Sequence, residues 1–550
     1  MKKNKQKRTE ILKKQSALEI CAITITAVII ALAVEYIIIA LGGNFNFPRV
    51  VLFAIIVTAL CLIYKSRIFK IFDIFYDPSR KNHRIAALLL CFICILIAII
   101  ISSIFHTDIN QIPYPLNNHI VLYNPYIQQF DAFKKGQLHI DLQPDPRLAE
   151  LQNPYDPDAR TGFYYLWDRA YYDGRYFSYF MIAPILTVYY PHYIIRGTLP
   201  SEDFVMQIFT IITALFFSFS VIKWAGDYTK RLPLPILCVG TVAALFSTQV
   251  FLISRGFSRF YYIATIAGMA YTALFIFLIL YAISAKPGKN RYILLASSGV
   301  AYSLVFLSRM NIALLLAFVV VPVIWLKIIK PNLKEKKAIF TELVFLGIPI
   351  ILTFVFQMWF NNARFSGIFD FGATYQLTVS DISLNRIRIL DIFPALFHYF
   401  LQPLVFSWDF PFISLHSIAT NYSHYVYVDS NFGLFLMPMF WALFGSIKVF
   451  LNKNVQGVKL TLASALAGIF AVAWFNFSMA GVIFRYTCDL TLVAAFVSVA
   501  IIFYLCENVS ENRKHTVFIF TTAFCAVSIF FSLSLALSSN LNLTTYSSNV

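Results

Sequence analysis

Apolar runs of about 20 residues, each bounded by short polar segments, recur along most of this chain. A helix of that length crosses the hydrocarbon core of a bilayer. The pattern therefore predicts an all-α membrane protein with about thirteen transmembrane helices. Their expected ranges are 18–41, 50–66, 85–105, 204–224, 234–253, 260–284, 292–308, 311–328, 338–360, 432–450, 459–478, 487–505 and 516–537.

Composition supports this assignment. Hydrophobic residues make up 59% of the 550 positions and charged residues 13%, and the mean hydropathy is +0.70. A soluble protein of this length has too little interior for so much apolar surface, so a lipid-facing exterior is expected. Most of the eight cysteines lie inside apolar runs, which predicts packing residues and no disulfide framework.

The formal net charge of +17 is distributed in a way that indicates membrane orientation and not nucleic-acid binding. Cytoplasmic loops carry an excess of Lys and Arg. Here the N-terminal tail and every second connecting segment are basic, namely 65–84, 223–231, 286–291, 327–337, 448–459 and 513–514. We therefore expect a multi-pass protein of the cell membrane with a cytoplasmic N-terminus, surrounded by the lipid bilayer and without a nucleic-acid partner.

Two long segments, 106–203 and 361–431, then fall on the extracytoplasmic side. The first holds eleven acidic residues against seven Lys or Arg, and thirteen of the 31 tyrosines. The aromatic and leucine content of both segments argues for folded loops. Their apolar stretches 172–195 and 390–412 are interrupted by charged residues, Pro and His, which predicts juxtamembrane helices that lie along the interface.

An enzyme that acts on a lipid-linked sugar needs polar chemistry at the membrane surface. A carboxylate can accept the proton of an attacking hydroxyl, aromatic faces can pack against sugar rings, and the planar fork of Arg can engage two oxygens of a phosphate leaving group. The first external segment supplies carboxylates and aromatic residues in QFDAFKKGQLHID around Asp131 and in YYLWDRAYYDGRYFSYF at 164–180.

Four patches carry a resemblance to a known family. They are QFDAFKKGQLHID, YFSYFMIAPILTVYY centred on Pro184, FNNARFSGIFDFGATYQLT at 360–378 and FRYTCDLTLVAAF at 484–496. In their order and shared external placement they resemble GT-C-type membrane glycosyltransferases of a bacterial, polyprenyl-phosphate-sugar-dependent branch.

The resemblance implies three parts of the chain. A GT-C-like transmembrane module covers 85–505 and carries the external loops 106–203 and 361–431. A basic tail and two transmembrane helices at 1–84, additional to the family pattern, precede it. A last transmembrane helix and a polar tail follow at 506–550.

The resemblance also implies an inverting glycosyltransferase of the cell envelope. Such an enzyme would move a sugar from a polyprenyl-phosphate carrier to an envelope glycopolymer or lipid acceptor on the non-cytoplasmic face. By motif position, Asp131 would be the general base and Arg485 would contact the carrier phosphate. No cofactor is implied, and a divalent cation is left open.

Three carboxylates are candidate catalytic groups: Asp131, Asp141 and Asp168. Asp131 has a second interpretation as the cap of a short helix over AFKKGQL, because Asp is a favoured N-cap. Asp141 lies in a turn-like stretch, where Asp is common for local reasons. Asp156 and Asp158 form a DxD sequence among prolines, for which an Asx turn is favoured over a metal site for Ca²⁺ or Mg²⁺.

Candidate substrate-binding residues include arginines at the predicted outer helix ends, which run against the positive-inside trend. They indicate either a carrier phosphate or lipid head groups. The residues are Arg255, Arg259, Arg309, Arg364 and Arg485, of which Arg309 and Arg485 are favoured for the phosphate.

The tyrosine-rich segment supplies the remaining binding candidates, Tyr165, Trp167, Arg175 and Tyr179. In one interpretation its tyrosines form a sugar-binding wall, with Asp168 or Arg175 lining the acceptor site. In the other, the aromatic residues form an interfacial belt, and the sequences WDR and DGR form an ion-paired surface.

Two other functions remain open from the sequence. A flippase or transporter of lipid-linked saccharides would favour internal repeats and ionisable groups at mid-depth, whereas the chain shows no repeat and few charges within its spans. A non-catalytic envelope assembly factor would keep the fold without the carboxylate chemistry. The histidines have no close metal-ligand spacing, so zinc is not expected, and there is no Walker A or GxGxxG sequence.

Overall fold

The computed structural model describes residues 71–103, 114–117, 120–162, 164–254, 260–418, 429–453 and 456–546, together with separate positions between 25 and 58. The described chain is mostly helical. Its α-helices are α1 (Lys81–Ser103), α2 (Pro125–Lys134), α3 (Tyr190–Arg196), α4 (Glu202–Tyr228), α5 (Leu234–Ser247), α6 (Val250–Ile253), α7 (Phe260–Ser284), α8 (Lys289–Phe306), α9 (Met310–Ile324), α10 (Lys336–Phe365), α11 (Ile392–Leu396), α12 (Ser446–Leu451), α13 (Gln456–Ala480), α14 (Phe484–Glu507) and α15 (Lys514–Tyr546).

Short segments of other geometry extend or connect these helices. Five-residue π-helical turns occur at Ile185–Tyr189, Trp325–Ile329 and Phe397–Leu401. The 3₁₀ segments are Pro146–Ala149, Asp158–Arg160, Lys330–Asn332, Ala373–Tyr375, Ile382–Leu384, Ile389–Asp391, Leu434–Leu436, Pro438–Gly445 and Glu511–Arg513. The strands are β1 (Tyr114–Asn117), β2 (Ile120–Leu122), β3 (Tyr165–Leu166), β4 (Ala170–Tyr172), β5 (Arg175–Phe177), β6 (Val405–Phe406) and β7 (Ile413–Ser414).

Within the described ranges, nine helices are long and apolar enough to cross a membrane. They are Lys81–Ser103, Glu202–Tyr228, Leu234–Ile253, Phe260–Ser284, Met310–Asn332, Lys336–Phe365, Gly457–Ala480, Phe484–Glu507 and Glu511–Ser538. Large apolar side chains point outward from them, such as Phe92 on α1, 61% exposed, and Leu352 on α10, 63% exposed. Exposing such a surface to water costs free energy, whereas contact with lipid does not. The chain is therefore a multi-pass membrane protein.

The predicted count of thirteen spans is not reproduced. The ranges 18–41 and 50–66 lie outside the described residues, apart from separate positions. The range 292–308 corresponds to α8, an 18-residue helix whose polar first turn lowers its hydropathy below that of a membrane span. The range 432–450 does not form a spanning helix, because a 3₁₀ segment and the short α12 take its place.

The segment around 434–451 nevertheless runs along the whole of α14. The backbone N–H of Phe484, at the beginning of α14, donates to the carbonyl of Ser430 over 3.0 Å. Near the other end of α14, Nδ2 of Asn452 donates to the Tyr504 hydroxyl over 2.5 Å. The segment from Ser430 to Asn452 therefore extends along α14 from its first residue to within one turn of its end.

The helices α5, α7 and α14 form the centre of the bundle. Helix α7 packs against α4 and α8, and α14 packs against α5 and the Pro438–Gly445 segment, while α10 and α15 lie mostly at the surface. One helix crossing depends on a glycine. A Cβ atom on Gly299 of α8 would lie 2.3 Å from the carbonyl oxygen of Leu346 in α10, so the two backbones are in direct contact there.

Several of the predicted basic segments meet at one end of the bundle, which we call the basic end. Lys514 pairs with Asp73 at 3.1 Å and Arg231 with Glu511 at 3.9 Å. Such exposed pairs add little stability, but they place three connecting segments together. The side of the membrane that the basic end faces stays a prediction.

At the opposite end, the described residues of the ranges 114–179 and 366–385 form a small cap. The sequence did not predict that this cap contains strands. In the cap, β2 pairs antiparallel with β1 and parallel with β3. The hairpin β4–β5 turns at Asp173-Gly174, where both residues have positive φ, as two-residue hairpin turns require. Leu377 joins the two long segments, because its N–H donates to the carbonyl of Arg169 over 2.9 Å.

The predicted juxtamembrane helices are present in part. The range 172–195 begins in β4 and β5 and becomes helical only at the π-turn Ile185–Tyr189 and at α3. The range 390–412 holds α11 and a π-turn, followed by β6. Ile195 and Phe393 are 77% and 69% exposed, which suits helices that lie along an interface.

Candidate functional site

Asp168 lies buried in the turn between β3 and β4, at the boundary of the cap and the bundle. Its backbone has a φ of 53°, a left-handed conformation that few non-glycine residues adopt. The N–H of Asp168 donates to the carbonyl of Leu377 over 3.0 Å, which holds the turn in place. Oδ2 accepts a hydrogen bond from the Tyr261 hydroxyl over 2.6 Å. Oδ1 is buried and has no partner in the described part of the chain.

Arg485 lies in the first turn of α14 and faces Tyr261. Its guanidinium lies 4.9 Å from the ring centroid of Tyr261 and 5.2 Å from that of Tyr486, within cation–π range. It donates a long hydrogen bond of 3.4 Å to the Tyr486 hydroxyl. Among the described residues no carboxylate forms an ion pair with Arg485, so within this part of the chain its positive charge is uncompensated.

Arg309 and Asp489 form an ion pair beside Arg485. Nε of Arg309 donates to both carboxylate oxygens of Asp489, over 3.0 and 3.1 Å. The Asp489 side chain is fully buried and that of Arg309 is 19% exposed. The Arg309 guanidinium also lies 5.2 Å from the ring of Tyr486. Its Nη2 is buried without a partner in the described chain.

Tyr179 belongs to the same group of residues. Burial raises the pKa of Tyr179 well above its ordinary value, and the Asp168 carboxylate adds to the effect while Arg485 opposes it. Its hydroxyl therefore stays protonated and can donate a hydrogen bond at neutral pH. We define the Arg485 cluster as the residues that these contacts join: Asp168, Tyr179, Tyr261, Arg309, Arg485, Tyr486 and Asp489.

Arg169, next to the cluster, holds the cap and forms no ion pair with any described residue. Its guanidinium is completely buried and donates to Oε1 of Gln128 over 2.8 Å and to the carbonyls of Tyr123, Trp167 and Asp168. Burial lowers the pKa of Arg169. Counting described residues only, Arg169, Arg309 and Arg485 lie beside the two carboxylates of the cluster, which is an excess of one positive charge.

Arg364 supports the site from α10 without joining the cluster. Its Nη1 donates to the carbonyl of Ser178 over 2.7 Å, one residue before Tyr179. Its guanidinium lies 3.7 Å from the ring centroid of Phe360. These contacts position the strand that leads to Tyr179. Arg255 and Arg259 lie outside the described residues.

Asp131, the base that the family resemblance implies, lies apart from the cluster. It is exposed on α2, whose buried face consists of Tyr126, Gln129, Phe130 and Ala132. Asp131 does not cap a helix either. Asn124 caps α2, its side chain accepting from Tyr126 N over 2.9 Å, and the helix ends at Lys134 instead of extending over AFKKGQL.

Asp141 and the DxD sequence also lie apart from the cluster. Asp141 is exposed and paired with Lys135, whose hydrogen bond and charge lower the pKa of this carboxyl. Asp158 N donates to Oδ1 of Asp156 over 3.0 Å, which is the Asx turn that the sequence favoured. Within the described ranges there is no group of three His, Cys, Asp or Glu residues that could hold a metal ion.

The tyrosine-rich segment does not form one continuous wall. Tyr165, Tyr171 and Tyr176 are buried in the core of the cap with Leu377. Trp167 is half-buried and packs against the cap core and the bundle. Arg175 is exposed in β5. The predicted ion-paired surface at WDR and DGR is absent from the described contacts, because Asp168 and Arg169 are buried with other partners.

Sequence reasoning missed three residues of the cluster, Tyr261, Tyr486 and Asp489. Asp489 follows Arg485 by four residues, the spacing at which two side chains can pair on a helix. This spacing is the sequence feature that could have indicated Asp489 as a residue of the site. The pair does not form, because Asp489 binds Arg309 from another helix. Tyr261 had no signal in the sequence, since tyrosine at a helix end is ordinary in a membrane protein.

Fold and site together define a multi-pass α-helical membrane protein with a capped cluster of arginines, tyrosines and carboxylates at one end. No protein-family model, no curated protein and no solved structure matches the chain.

Proposed function

We propose that the protein is a membrane glycosyltransferase that moves a sugar from a polyprenyl-phosphate carrier to an acceptor at the end of the bundle that carries the cap. One observation carries the proposal: Tyr261 contacts both the guanidinium of Arg485 and the carboxylate of Asp168, and among the described residues this guanidinium has no carboxylate partner and Oδ1 of Asp168 has no hydrogen bond. A cation suited to phosphate and a carboxylate suited to a hydroxyl proton are the two groups that this transfer requires.

The transfer is a single displacement at the anomeric carbon of the donor sugar. The acceptor hydroxyl oxygen forms the new bond to that carbon, and Oδ1 of Asp168 takes the hydroxyl proton. The bond from the carbon to the phosphate oxygen breaks, and its electron pair stays on the phosphate. Arg485 and Nη2 of Arg309 stabilise the released negative charge. Direct displacement inverts the configuration of the sugar.

The structure favours Asp168 over Asp131 and Asp141 as the base in this proposal. Asp131 is exposed on α2, and Asp141 is engaged by Lys135, which makes it a weaker base. Asp168 is held by Tyr261 and by the backbone of Leu377, and its Oδ1 has no hydrogen-bond partner among the described residues. Its left-handed backbone fits the tendency of strained residues to occur at functional sites.

The location of the cluster suits a lipid-linked donor. Arg485, Arg309 and Tyr261 belong to the ends of α14, α9 and α7, where the phosphate of a carrier lies while its polyprenyl chain stays in the bilayer. We propose further that this end faces away from the cytoplasm, because the basic loops lie at the other end. A polyprenyl-phosphate sugar is available there without a nucleotide.

The experiment measures sugar transfer by the full-length protein in nanodiscs, with radiolabelled polyprenyl-phosphate hexoses and N-acetylhexosamines as donors. We expect Arg485→Gln to raise the KM for the donor, with a loss of kcat/KM of at least about tenfold, because a charge-assisted contact to phosphate is removed. The matched control is Arg196→Gln, which removes an exposed arginine of α3 at the same end of the bundle and should transfer like the native protein. Equal activity of the two variants would overturn the role of Arg485, and no transfer from any of these donors would overturn the proposed function.

A further inference from the structure

Three half-exposed tyrosines from separate segments of the cap meet around one point. The ring centroids of Tyr172 and Tyr375 lie 4.8 Å apart, and those of Tyr155 and Tyr375 lie 5.9 Å apart. The buried ring of Phe365 supports them, at 5.8 Å from Tyr172 and 5.6 Å from Tyr375. We call Tyr155, Tyr172 and Tyr375 the tyrosine platform.

A carboxylate is fixed beside the tyrosine platform. Oδ1 of Asp370 accepts from the N–H of Gly372 over 2.9 Å. Burial and a hydrogen bond with Asp370 raise the pKa of Tyr375. Gly372 has a φ of +77°, and a Cβ atom there would lie 2.3 Å from the ring of Phe365. The turn that carries Asp370 is therefore built tightly against the residue that supports the platform.

We propose that the tyrosine platform and Asp370 bind the acceptor of the reaction, and that this acceptor is a neutral oligosaccharide. The inference rests on the proposed function. Half-exposed aromatic rings offer apolar faces to the C–H faces of sugar rings, and a carboxylate accepts hydrogen bonds from sugar hydroxyls. The carboxylate of Asp370 disfavours an anionic polymer at the same place.

The tyrosine platform lies close to the Arg485 cluster. Tyr172 follows Asp168 by four residues, so their Cα atoms are at most about 14 Å apart. The bridge between Ala170 and Gln376 keeps Tyr375 next to the same strand. An acceptor glycan of several units is therefore long enough to contact the platform and to bring a hydroxyl group to Asp168.

The platform lies in the cap, where Asn153 and Asp381 form a hydrogen bond of 2.9 Å between the two long segments. Asn153, Asp173 and Arg175 of the cap are exposed, and exposed polar side chains are typical of an aqueous surface. A simple lipid acceptor stays in the bilayer and would not contact aromatic rings in the cap. A glycan that extends into water would contact them.

The test uses the full-length protein in nanodiscs and isothermal titration calorimetry. The ligands are linear hexamers of glucose, mannose, galactose and N-acetylglucosamine and the corresponding monosaccharides. We expect at least one hexamer to bind at least about tenfold more tightly than its monosaccharide. Tyr375→Ala should weaken that hexamer about tenfold, and Tyr375→Phe, which keeps the ring, should bind within about threefold of the native protein.

The matched control is Tyr164→Ala, because Tyr164 is a cap tyrosine, 58% exposed, that is not part of the platform. It should bind the hexamer like the native protein. The inference is overturned if no hexamer binds, if Tyr375→Ala binds like the native protein, or if Tyr164→Ala loses as much as Tyr375→Ala.

A second comparison separates this inference from the proposed function. Arg485→Gln should bind the hexamer normally, because the platform does not use the phosphate contact. Hexamer binding that depends on Tyr375, in a protein that transfers no sugar, would support the platform and overturn the transferase. Sugar transfer that is unchanged in Tyr375→Ala with an oligosaccharide acceptor would overturn the platform and leave the transferase.

Discussion

The Tyr261 hydroxyl donates a 2.6 Å hydrogen bond to Oδ2 of Asp168, and this contact joins the beginning of a membrane-spanning helix to the cap. The same tyrosine ring lies under the guanidinium of Arg485. Tyr261 thus holds the proposed base and the proposed phosphate contact at a fixed separation. In the part of the chain that the structure describes, the other carboxylate oxygen has no partner, which leaves it able to accept a proton as a general base does.

Tyr261→Phe should keep the ring under Arg485 and remove the hydrogen bond to Asp168. This hydrogen bond fixes the orientation of the carboxylate, so its loss leaves the Asp168 side chain free to turn away from an acceptor hydroxyl. We expect kcat to fall about tenfold with little change in the KM for the donor. A native kcat in Tyr261→Phe, or a loss that appears only in the KM, would contradict this role.

The ion pair of Arg309 and Asp489 gives a prediction for stability. Asp489→Leu leaves the Arg309 guanidinium without a partner, and breaking a buried pair costs about 3–5 kcal/mol. The expected loss is at the lower end, because Arg309 is 19% exposed. The double variant Arg309→Met with Asp489→Leu should recover part of the loss. Thermal unfolding in detergent measures this, and a double variant less stable than Asp489→Leu would contradict the account.

The crossing of α8 and α10 offers a matched pair of glycines. Gly299→Ala should destabilise the bundle by about 1–3 kcal/mol, because its Cβ would lie 2.3 Å from the carbonyl of Leu346 and the backbones must separate. A Cβ on Gly347, the next residue after Leu346, meets no atom within 4 Å. Gly347→Ala should therefore be neutral or slightly stabilising, since Ala has the higher helix propensity. Equal melting temperatures for the two variants would show that the contact is not tight.

The class of fold could be predicted from hydropathy, since most expected spans coincide with observed helices. The segment 432–450 could not, because hydropathy does not distinguish a 3₁₀ helix along α14 from a full α-helix. The strands of the cap were also missed. They are two to four residues long, which is too short for an alternating pattern in the sequence to indicate them. Pairings such as Ala170 with Gln376 also join distant parts of the chain.

The sequence indicated several residues of the candidate site, but it did not indicate which of them lie together. Arg485, Arg309, Asp168 and Tyr179 were named as candidates, and the fold brings them together. Asp131 has the same chemistry and the stronger motif argument, yet its side of α2 faces outward. Burial decides between such carboxylates, and burial depends on tertiary contacts that a single sequence does not contain.

Orientation in the membrane can be checked by labelling. If the basic end is cytoplasmic, Asp158→Cys in the cap should react with a membrane-impermeant maleimide in intact cells. Glu335→Cys at the basic end should react only after the cells are permeabilised. Both positions are exposed, so failure to label cannot result from burial. The reverse pattern would place the cap in the cytoplasm and remove the basis for an extracytoplasmic acceptor.

The most direct test of the central claim compares two carboxylate variants in the transfer assay, Asp168→Asn and Asp131→Asn. Asn tolerates the left-handed backbone of residue 168, so the variant should fold while losing the base. We predict that Asp168→Asn lowers the rate of sugar transfer by about 10²–10⁴-fold, the usual contribution of a general base, and that Asp131→Asn transfers at the native rate. Native activity in Asp168→Asn, or loss of activity only in Asp131→Asn, would contradict the account.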